Sequence, residues 1–300
     1  MTFQAEAYNR LMPGDNRYQQ TITGGNQDRL DLAIFLADQE YSHPECEKAN
    51  SSDKQRSFCF HQQEITDIAI LVIHGWTSCP FEVRELGEKL YHQGYNVYGV
   101  RLAGHGTSIT NFAGASHTDW EMSARKGLAI TALLGRKVII VGESMGGGLA
   151  AILAAEYPEL VAKIALCAPC FQILDWRAGL TVYPWLTPFL PREADFGVFP
   201  DWQKDYWYNK IPTSGVAELA KITKRARLMG SKINADTLIV QAENDSLVNP
   251  KGARKFFQSM NRLTMEQKEL IMFKDGHHNL TVDLNPQKEQ VFQWIIQFIG

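Results

Sequence analysis

The segment Gly142-Glu143-Ser144-Met145-Gly146 has the G-x-S-x-G spacing that presents a nucleophilic serine. It follows an apolar run at 137–141 and precedes a run of small residues, which predicts the order strand, serine turn, helix. The two glycines leave room for a sharp turn that lifts the hydroxyl above the edge of a sheet. The first N–H groups of the helix favour a negative charge that develops there. This layout predicts nucleophilic catalysis by Ser144.

A serine nucleophile needs a general base, and the base needs a carboxylate that orients it. Asp245 lies in the loop after a predicted buried strand at 237–242, where the acid is expected if the chain order is serine, acid, histidine. Glu243 competes from the same loop, whereas Asp236 stands at the wrong end of the strand. We therefore predict that Asp245 is the acid.

Two adjacent histidines, His277 and His278, are the candidates for the base. They follow a predicted strand at 269–274, as the same chain order requires. Asp275 is too close to them in sequence to be the separate acid. Only one of the two imidazoles can face the serine, and their position after the strand does not choose between them.

From Ile68 onward, continuous apolar runs alternate with amphipathic segments. Fully apolar strands separated by helices indicate an α/β fold whose mostly parallel central sheet is covered by helices on both faces. Strands are predicted at 68–73, 96–101, 137–141, 163–168, 237–242 and 269–274, and helices at 81–93, 118–134, 145–157, 250–260 and 286–299.

The domain organisation follows from where this alternation starts and stops. Residues 1–60 are polar and rich in turns, and we expect an extension that packs on the core. Residues 61–170 and 233–300 form the predicted core. Residues 171–232 are rich in proline and aromatic side chains and interrupt the alternation, which predicts an inserted helical cap. Most of the aromatic side chains are expected to form the cap's own core, and an apolar acyl pocket is predicted to include Trp185, Trp202 and Trp207.

Three further segments carry motifs that accompany such a serine turn. Residues 71–77 read as a strand that ends in His-Gly, residues 101–107 contain Gly-His-Gly after the next strand, and residues 278–283 have the form H-x-x-T-x-D. Together with the serine turn, these motifs resemble the α/β-hydrolase superfamily, and more closely its bacterial carboxylesterases and monoacylglycerol lipases. In the similar esterases the last motif opens with the catalytic histidine, so the resemblance selects His278.

The resemblance implies the α/β-hydrolase fold and a serine ester hydrolase that cleaves carboxylic esters through an acyl-enzyme on Ser144, and it suggests monoacylglycerols as substrates. The predicted cap suggests uncharged esters of short-to-medium acyl chains. The oxyanion hole would consist of the backbone N–H groups of Trp76 and Met145. The expected partner is a small-molecule acyl ester, and no metal or organic cofactor is implied. Glu143 departs from the family's pattern, and we expect it to be solvated or salt-bridged; an effect on the catalytic histidine stays open as the alternative.

Two other functions stay open beside ester hydrolysis. The same three catalytic groups could hydrolyse a thioester or transfer an acyl group. A non-catalytic ligand-binding protein is the other alternative, because this fold also carries such functions. The complete set of serine, acid and histidine argues against a pure binding protein.

Composition and cysteine positions limit location and partners. The net charge of −3 gives no electrostatic argument for a nucleic-acid partner. No apolar stretch is long enough to span a bilayer and the first residues show no secretory signal, so we expect a cytoplasmic enzyme. The positions of Cys167 and Cys170 favour core packing over a redox or metal-binding role. Cys46 and Cys79 resemble a cysteine pair of some related hydrolases, which implies a disulfide, whereas a cytoplasmic location argues against one. Both outcomes stay open.

Overall fold

The computed structural model describes residues 3–15, 17–175, 180, 193–195, 206–208 and 210–300. Within these residues the strands are β1 (Phe58–Phe60), β2 (Thr66–Ile73), β3 (Asn96–Val100), β4 (Gly135–Glu143), β5 (Val161–Cys167), β6 (Glu193–Asp195), β7 (Lys210–Pro212), β8 (Asp236–Ala242) and β9 (Lys268–Phe273). The helices are α1 (Phe3–Leu11), α2 (Gln19–Ile22), α3 (Asn26–Tyr41), α4 (Pro44–Ala49), α5 (Phe81–His92), α6 (Ile109–Gly114), α7 (His117–Leu134), α8 (Met145–Glu156), α9 (Thr213–Arg227), α10 (Pro250–Ser259) and α11 (Lys288–Ile299).

In the described residues, seven strands form one sheet in the spatial order β1, β3, β2, β4, β5, β8, β9. β1 runs antiparallel to β3, and every other neighbouring pair is parallel. The prediction of an α/β-hydrolase fold with a mostly parallel sheet between helices is therefore confirmed. The six strands predicted from the apolar runs are the six parallel ones. β1 was not predicted, because three residues are too few to show a period.

The strand β2 shows why a parallel sheet is encoded as a continuous apolar run. Leu71 and Ile73 join the core on the face covered by α7 and α8, whereas Ile70 and Val72 join the core on the face covered by α5 and α11. All four side chains are fully buried. Each contributes about 1.5–3 kcal/mol through burial of apolar surface, so both faces of the sheet favour apolar residues.

The first sixty residues contact the core through α3 and β1. Leu30 and Leu36 on α3 are buried in the same apolar cluster as Leu71 of the sheet. An ion pair joins the buried Arg101 Nη1, directly after β3, to the partly exposed Glu45 Oε2 at 3.1 Å.

The interval between β5 and β8 contains the antiparallel pair β6 and β7 and the helix α9. α9 lies directly on α8, since a Cβ atom at Gly148 would stand 3.4 Å from the Ala226 Cβ and 3.6 Å from the Ile222 Cγ2. Trp185 and Trp202, predicted to line the pocket, lie outside the described residues.

The cysteines are all free thiols in this structure, so Cys46 and Cys79 are not bonded to each other. Both are fully buried, and burial raises the pKa of each thiol. Cys170 Sγ lies 3.2 Å from Thr223 Oγ1 and packs in the core, and Cys167 is fully buried in β5. In the part of the chain that the structure describes, no helix has the length and apolar character that crossing a membrane requires.

Candidate active site

Ser144 occupies a strained turn between β4 and α8. Its backbone has φ 53° and ψ −112°, a conformation that residues with a side chain rarely adopt. The turn is tight enough to exclude side chains from its neighbours. A Cβ atom at Gly142 would stand 2.3 Å from the Gly146 carbonyl oxygen, and one at Gly146 would stand 2.2 Å from the Ile73 carbonyl oxygen. The two glycines of the motif are therefore required by close backbone approach.

The loops after β8 and β9 bring an acid and a histidine to this serine. His278 Nε2 lies 2.9 Å from Ser144 Oγ, and His278 Nδ1 lies 2.8 Å from Asp245 Oδ2 and 3.0 Å from Asp245 Oδ1. All three side chains are buried. The structure thus places Ser144, His278 and Asp245 in one hydrogen-bonded line, with the imidazole in the middle.

Asp245 is held in one orientation by donors on both of its oxygens. Oδ1 accepts the backbone N–H groups of Leu247 and Val248 at 2.8 and 2.9 Å, and Oδ2 accepts Gln241 Nε2 at 3.0 Å. Burial alone would oppose ionisation, but the hydrogen bonds and the charge of His278 outweigh it and lower the pKa of Asp245. An ionised Asp245 fixes the proton of His278 on Nδ1 and leaves Nε2 as an acceptor that faces the serine.

The competing residues lie elsewhere. Glu243 is exposed and pairs with Arg254 on α10 at 3.1 Å. Asp236 begins β8, at the opposite end of the strand from Asp245. His277 Nδ1 accepts the backbone N–H of Asn279 at 3.2 Å, and burial together with the neighbouring His278 lowers its pKa. Its recorded contact therefore stays within its own loop.

The loop after β2 carries one predicted oxyanion donor, Trp76. The N–H of the preceding Gly75 donates to Glu82 Oε2 at 2.5 Å, and the following Thr77 adopts a positive φ of 68°. The carbonyl of Thr77 accepts the backbone N–H of Tyr208 at 3.0 Å. The backbone on both sides of Trp76 is thereby fixed.

The second predicted donor, Met145, is the first residue of α8 and is fully buried. An N–H in the first turn of a helix has no acceptor within that helix and points along the positive end of the helix dipole. Met145 directly follows the serine, so its N–H belongs to the same turn. A donor at this position is suited to an anion that forms on the atom attacked by Ser144.

His74 and His105 hold neighbouring loops as neutral rings. His74 Nδ1 donates to the Gly75 carbonyl at 2.8 Å, and His74 Nε2 accepts the N–H of Leu102 at 3.2 Å. Complete burial lowers the pKa of His74 to about 3 and takes the pKa of His105 well below its usual range. His74 thereby joins the loop after β2 to the loop after β3.

Trp207 is the one predicted pocket residue that the described part of the chain includes. It is buried and meets the ring of Phe81 edge-on, with centroids 6.1 Å apart. Tyr206 stacks on the same ring at 3.9 Å. These contacts place Trp207 at the start of α5, close to the loop that contains Trp76.

The expectation for Glu143 was wrong. Its side chain is fully buried, and Oε1 accepts the backbone N–H of Leu280 at 2.8 Å instead of meeting water or a cation. Sequence reasoning also missed Glu82, which is equally buried and accepts Asn279 Nδ2 at 2.6 Å. A glutamate in the first turn of an amphipathic helix is ordinarily exposed, so only the fold reveals this pair.

Comparisons with known proteins agree with the fold and with the motifs. The family model described as alpha/beta hydrolase fold matches residues 68–206, and one described as serine aminopeptidase matches residues 201–285. The chain has the α/β-hydrolase fold and resembles monoacylglycerol lipases and carboxylesterases, as its motifs predicted.

Two relatives carry this resemblance in sequence. A thermostable monoacylglycerol lipase of Bacillus sp. strain H-257 is 28% identical over 216 residues, which cover 72% of this chain and 84% of the relative. A carboxylesterase of Bacillus subtilis strain 168 is 23% identical over 237 residues, which cover 78% of this chain and 92% of the relative. The predicted class, a carboxylic ester hydrolase, is confirmed.

Solved structures show the same fold. The metagenome-derived lipolytic enzymes LipS and LipT are represented by a structure with a TM-score of 0.72 and 24% identity, covering 81% of this chain and 96% of that one. A monoacylglycerol lipase of Paleococcus ferrophilus has a TM-score of 0.65 and 18% identity, and the match covers 81% of this chain and 97% of the lipase.

Proposed function

We propose that this protein hydrolyses uncharged carboxylic esters of short-to-medium acyl chains, with Ser144 as nucleophile, His278 as general base and Asp245 as the orienting acid. One observation carries the proposal, namely the imidazole of His278 between Ser144 Oγ at 2.9 Å and Asp245 Oδ2 at 2.8 Å. A base within hydrogen-bonding reach of a strained, buried serine is the arrangement that activates a hydroxyl for acyl transfer.

In the first half of the reaction Ser144 Oγ attacks the ester carbonyl carbon, and His278 Nε2 takes the hydroxyl proton. The carbonyl oxygen becomes an anion, which the N–H groups of Trp76 and Met145 would bind. Collapse of this intermediate breaks the bond to the alcohol, and the protonated His278 gives its proton to that alcohol. In the second half, water gives a proton to His278 and its oxygen attacks the acyl carbon. Collapse of this second intermediate breaks the bond to Ser144 Oγ, which takes the proton back from His278, and the carboxylic acid is released.

We propose that residues 171–232 form a cap over this site and that Trp207 lines the acyl pocket. The cap would meet the loop after β2 (residues 74–80, the oxyanion loop) at Tyr208. The N–H of Tyr208 donates to the Thr77 carbonyl and its hydroxyl donates to the Gly104 carbonyl, each at 3.0 Å. An ion-pair cluster fixes the far end of this segment, where Arg225 on α9 contacts Glu121 on α7 and Glu156 on α8. An apolar roof of this kind would bind an acyl chain and exclude water from the acyl-enzyme.

The substrate class in this proposal rests on the apolar side chains beside the site and on the relatives' names, a monoacylglycerol lipase and a carboxylesterase. The proposed location is the cytoplasm. Five free thiols support it, because unpaired buried cysteines are typical of a reducing compartment.

The test compares the parent with Ser144→Ala and with Ser231→Ala, a matched change at an exposed serine. We expect Ser144→Ala to lose on the order of a million-fold in turnover of nitrophenyl esters and to lose labelling by a fluorophosphonate. Ser231→Ala should behave like the parent in both assays. Ester turnover by folded Ser144→Ala within tenfold of the parent would contradict the proposal. Ester and thioester substrates with one shared acyl chain then separate esterase from thioesterase activity.

A further inference from the structure

Two buried carboxyl groups lie beside Ser144 and take no part in the proton transfers of the proposed reaction. Glu82 and Glu143 are 1% and 0% exposed. Their side-chain oxygens accept N–H groups of Gly75, Asn279 and Leu280, which carry no charge. Burial of two carboxyl groups without a cation is costly, and such a cost persists in a fold only where something offsets it.

Glu82 connects the two loops that surround the serine. Its Oε2 accepts the N–H of Gly75 at 2.5 Å, in the loop after β2, and its Oε1 accepts Asn279 Nδ2 at 2.6 Å, in the loop that carries His278. A third contact comes from its main chain, because the Thr281 hydroxyl donates to the Glu82 carbonyl at 3.0 Å. One side chain thus sets the separation of the residues next to the base and next to the predicted oxyanion donor.

Gly75 is packed closely against both Glu82 and Ser144. A Cβ atom at Gly75 would stand 3.1 Å from Glu82 Oε2 and 3.3 Å from the Ser144 Cβ. The oxyanion loop is therefore in contact with Glu82 and with the nucleophile at the same point. A displacement of Glu82 would move this loop relative to the serine.

Glu143 differs from Glu82 in its partners. Oε1 accepts the N–H of Leu280 at 2.8 Å, whereas Oε2 is buried and makes no hydrogen bond to a described residue. Burial raises the pKa of both glutamates. The charge of Glu82 raises the pKa of Glu143 further, to well above its usual range. Glu82 accepts two N–H donors and is suited to the ionised form, so the proton of the pair belongs on Glu143.

We propose that ionised Glu82 is a positioning residue that holds the oxyanion loop and the histidine loop at a fixed distance from Ser144, while Glu143 carries a proton that allows both carboxyl groups to be buried there. This inference rests on the proposed function, since it assigns a role in the same reaction. It predicts different responses to substitution at the two positions, because Glu82 must accept hydrogen bonds from two loops and Glu143 must remain neutral.

The test at position 82 uses three variants. Glu82→Met keeps the volume and removes both acceptors, and we expect kcat to fall about ten- to a hundredfold with KM within about twofold. Glu82→Gln is the conservative variant; its oxygen can accept from Gly75 and its NH₂ can donate to Asn279 after the Asn279 amide turns over, so kcat should return to within about threefold of the parent. Glu88→Met is the matched control on the exposed face of the same helix and should leave kcat unchanged.

The test at position 143 reads protonation directly. The infrared spectrum of the parent should contain the carbonyl band of a protonated carboxyl group at neutral pH. We expect this band to be lost in Glu143→Gln and to persist in Glu88→Met.

Asn279→Ala serves as a second kinetic variant for the role of Glu82 if Glu82→Met does not fold. It should lower kcat because it removes only the link from Glu82 to the histidine loop.

Several results would overturn this inference. They are an unchanged kcat in folded Glu82→Met, a Glu82→Gln variant as impaired as Glu82→Met, and a protonated-carboxyl band that survives in Glu143→Gln. An unchanged kcat in Asn279→Ala would do the same. The proposed function fails by a different result, full activity of Ser144→Ala, and the infrared measurement stands whether or not the protein hydrolyses esters.

Discussion

Replacing Asp245 with asparagine tests the tautomer of the proposed base while leaving the shape of the side chain almost unchanged. Oδ1 accepts the N–H groups of Leu247 and Val248, and these backbone donors cannot turn away. The asparagine carbonyl oxygen must therefore take the place of Oδ1. Its NH₂ group then takes the place of Oδ2, which faces His278 Nδ1. Gln241, the other partner of Oδ2, can turn its amide and accept instead.

An NH₂ group that faces Nδ1 reverses the hydrogen bond at that atom. Of the two positions, that of Oδ2 is the nearer to Nδ1, at 2.8 Å against 3.0 Å for Oδ1, so we expect Nδ1 to accept from the NH₂ group. The imidazole proton then moves to Nε2 and points at Ser144 Oγ, 2.9 Å away. In this tautomer His278 cannot accept the serine proton. The same substitution in a serine protease lowers kcat by about 10⁴. At 1.36 kcal/mol for each factor of ten, we expect a loss of about 5 kcal/mol of transition-state stabilisation.

The assay is the kcat of Asp245→Asn for a nitrophenyl ester, measured against the parent and against Glu243→Gln. Glu243→Gln is the matched control, because Glu243 lies two residues away, is exposed and pairs with Arg254. We expect the control to keep kcat within about twofold, since a surface ion pair contributes little. Thermal unfolding of each variant shows whether it is folded at the assay temperature.

A kcat of folded Asp245→Asn within tenfold of the parent would refute this reasoning about the tautomer. If Glu243→Gln lost activity instead, the acid would be Glu243 and the line of hydrogen bonds through Asp245 would be structural. A large rise in KM with an unchanged kcat would also contradict the tautomer argument, because a wrong tautomer affects the chemical step and not ester binding.

Three further predictions follow from the same site. His278→Ala should lose on the order of a million-fold in turnover, whereas His277→Ala should keep most activity because its recorded contact lies within its own loop; steady-state kinetics of both variants decide this. The parent should exceed Asp245→Asn in free energy of unfolding at neutral pH. That difference should shrink as pH falls below about 3.9, because the pKa of Asp245 is lower in the folded state and its stabilisation is lost as pH falls through the folded pKa; urea titrations across pH measure it. Trp207→Ala should alter the dependence of kcat/KM on acyl length from acetate to palmitate, since each buried methylene contributes about 0.8 kcal/mol; an unchanged profile would assign Trp207 to packing on Phe81 alone.

The parallel strands could be predicted because their burial on both faces leaves continuous apolar runs. The run at 137–141 became β4, and the residues after it formed the turn at Ser144. Burial of this kind is a property of consecutive residues. β1 has only Phe58–Phe60, and its pairing with β3 depends on a partner 37–41 residues further along the chain. A short edge strand is therefore fixed by tertiary contact and leaves no period in the sequence.

The loops of Asp245 and His278 were accessible to sequence reasoning because they follow parallel strands, and parallel strands end at one edge of the sheet. The choice of His278 over His277 depended on the H-x-x-T-x-D motif. Glu82 was not accessible. It lies in the first turn of α5, 61 residues before Glu143 in the chain, and nothing in its neighbours distinguishes it from the exposed Glu85 and Glu88. Its burial results from the way α5, the loop after β2 and the histidine loop meet.

The charges of the buried site restrict how it can stabilise a reaction. Attack by Ser144 would create an imidazolium and an oxyanion together, so the net charge of the site does not change in that step. The carboxylates of Asp245 and Glu82 favour the imidazolium and oppose the oxyanion, which therefore depends on the N–H groups of the turn and of the loop after β2. A charge on Glu143, adjacent to the nucleophile in sequence, would add to this opposition. The proposed proton on Glu143 removes that charge, and the hydrogen bond from Leu280 to Glu143 would still hold the histidine loop in place.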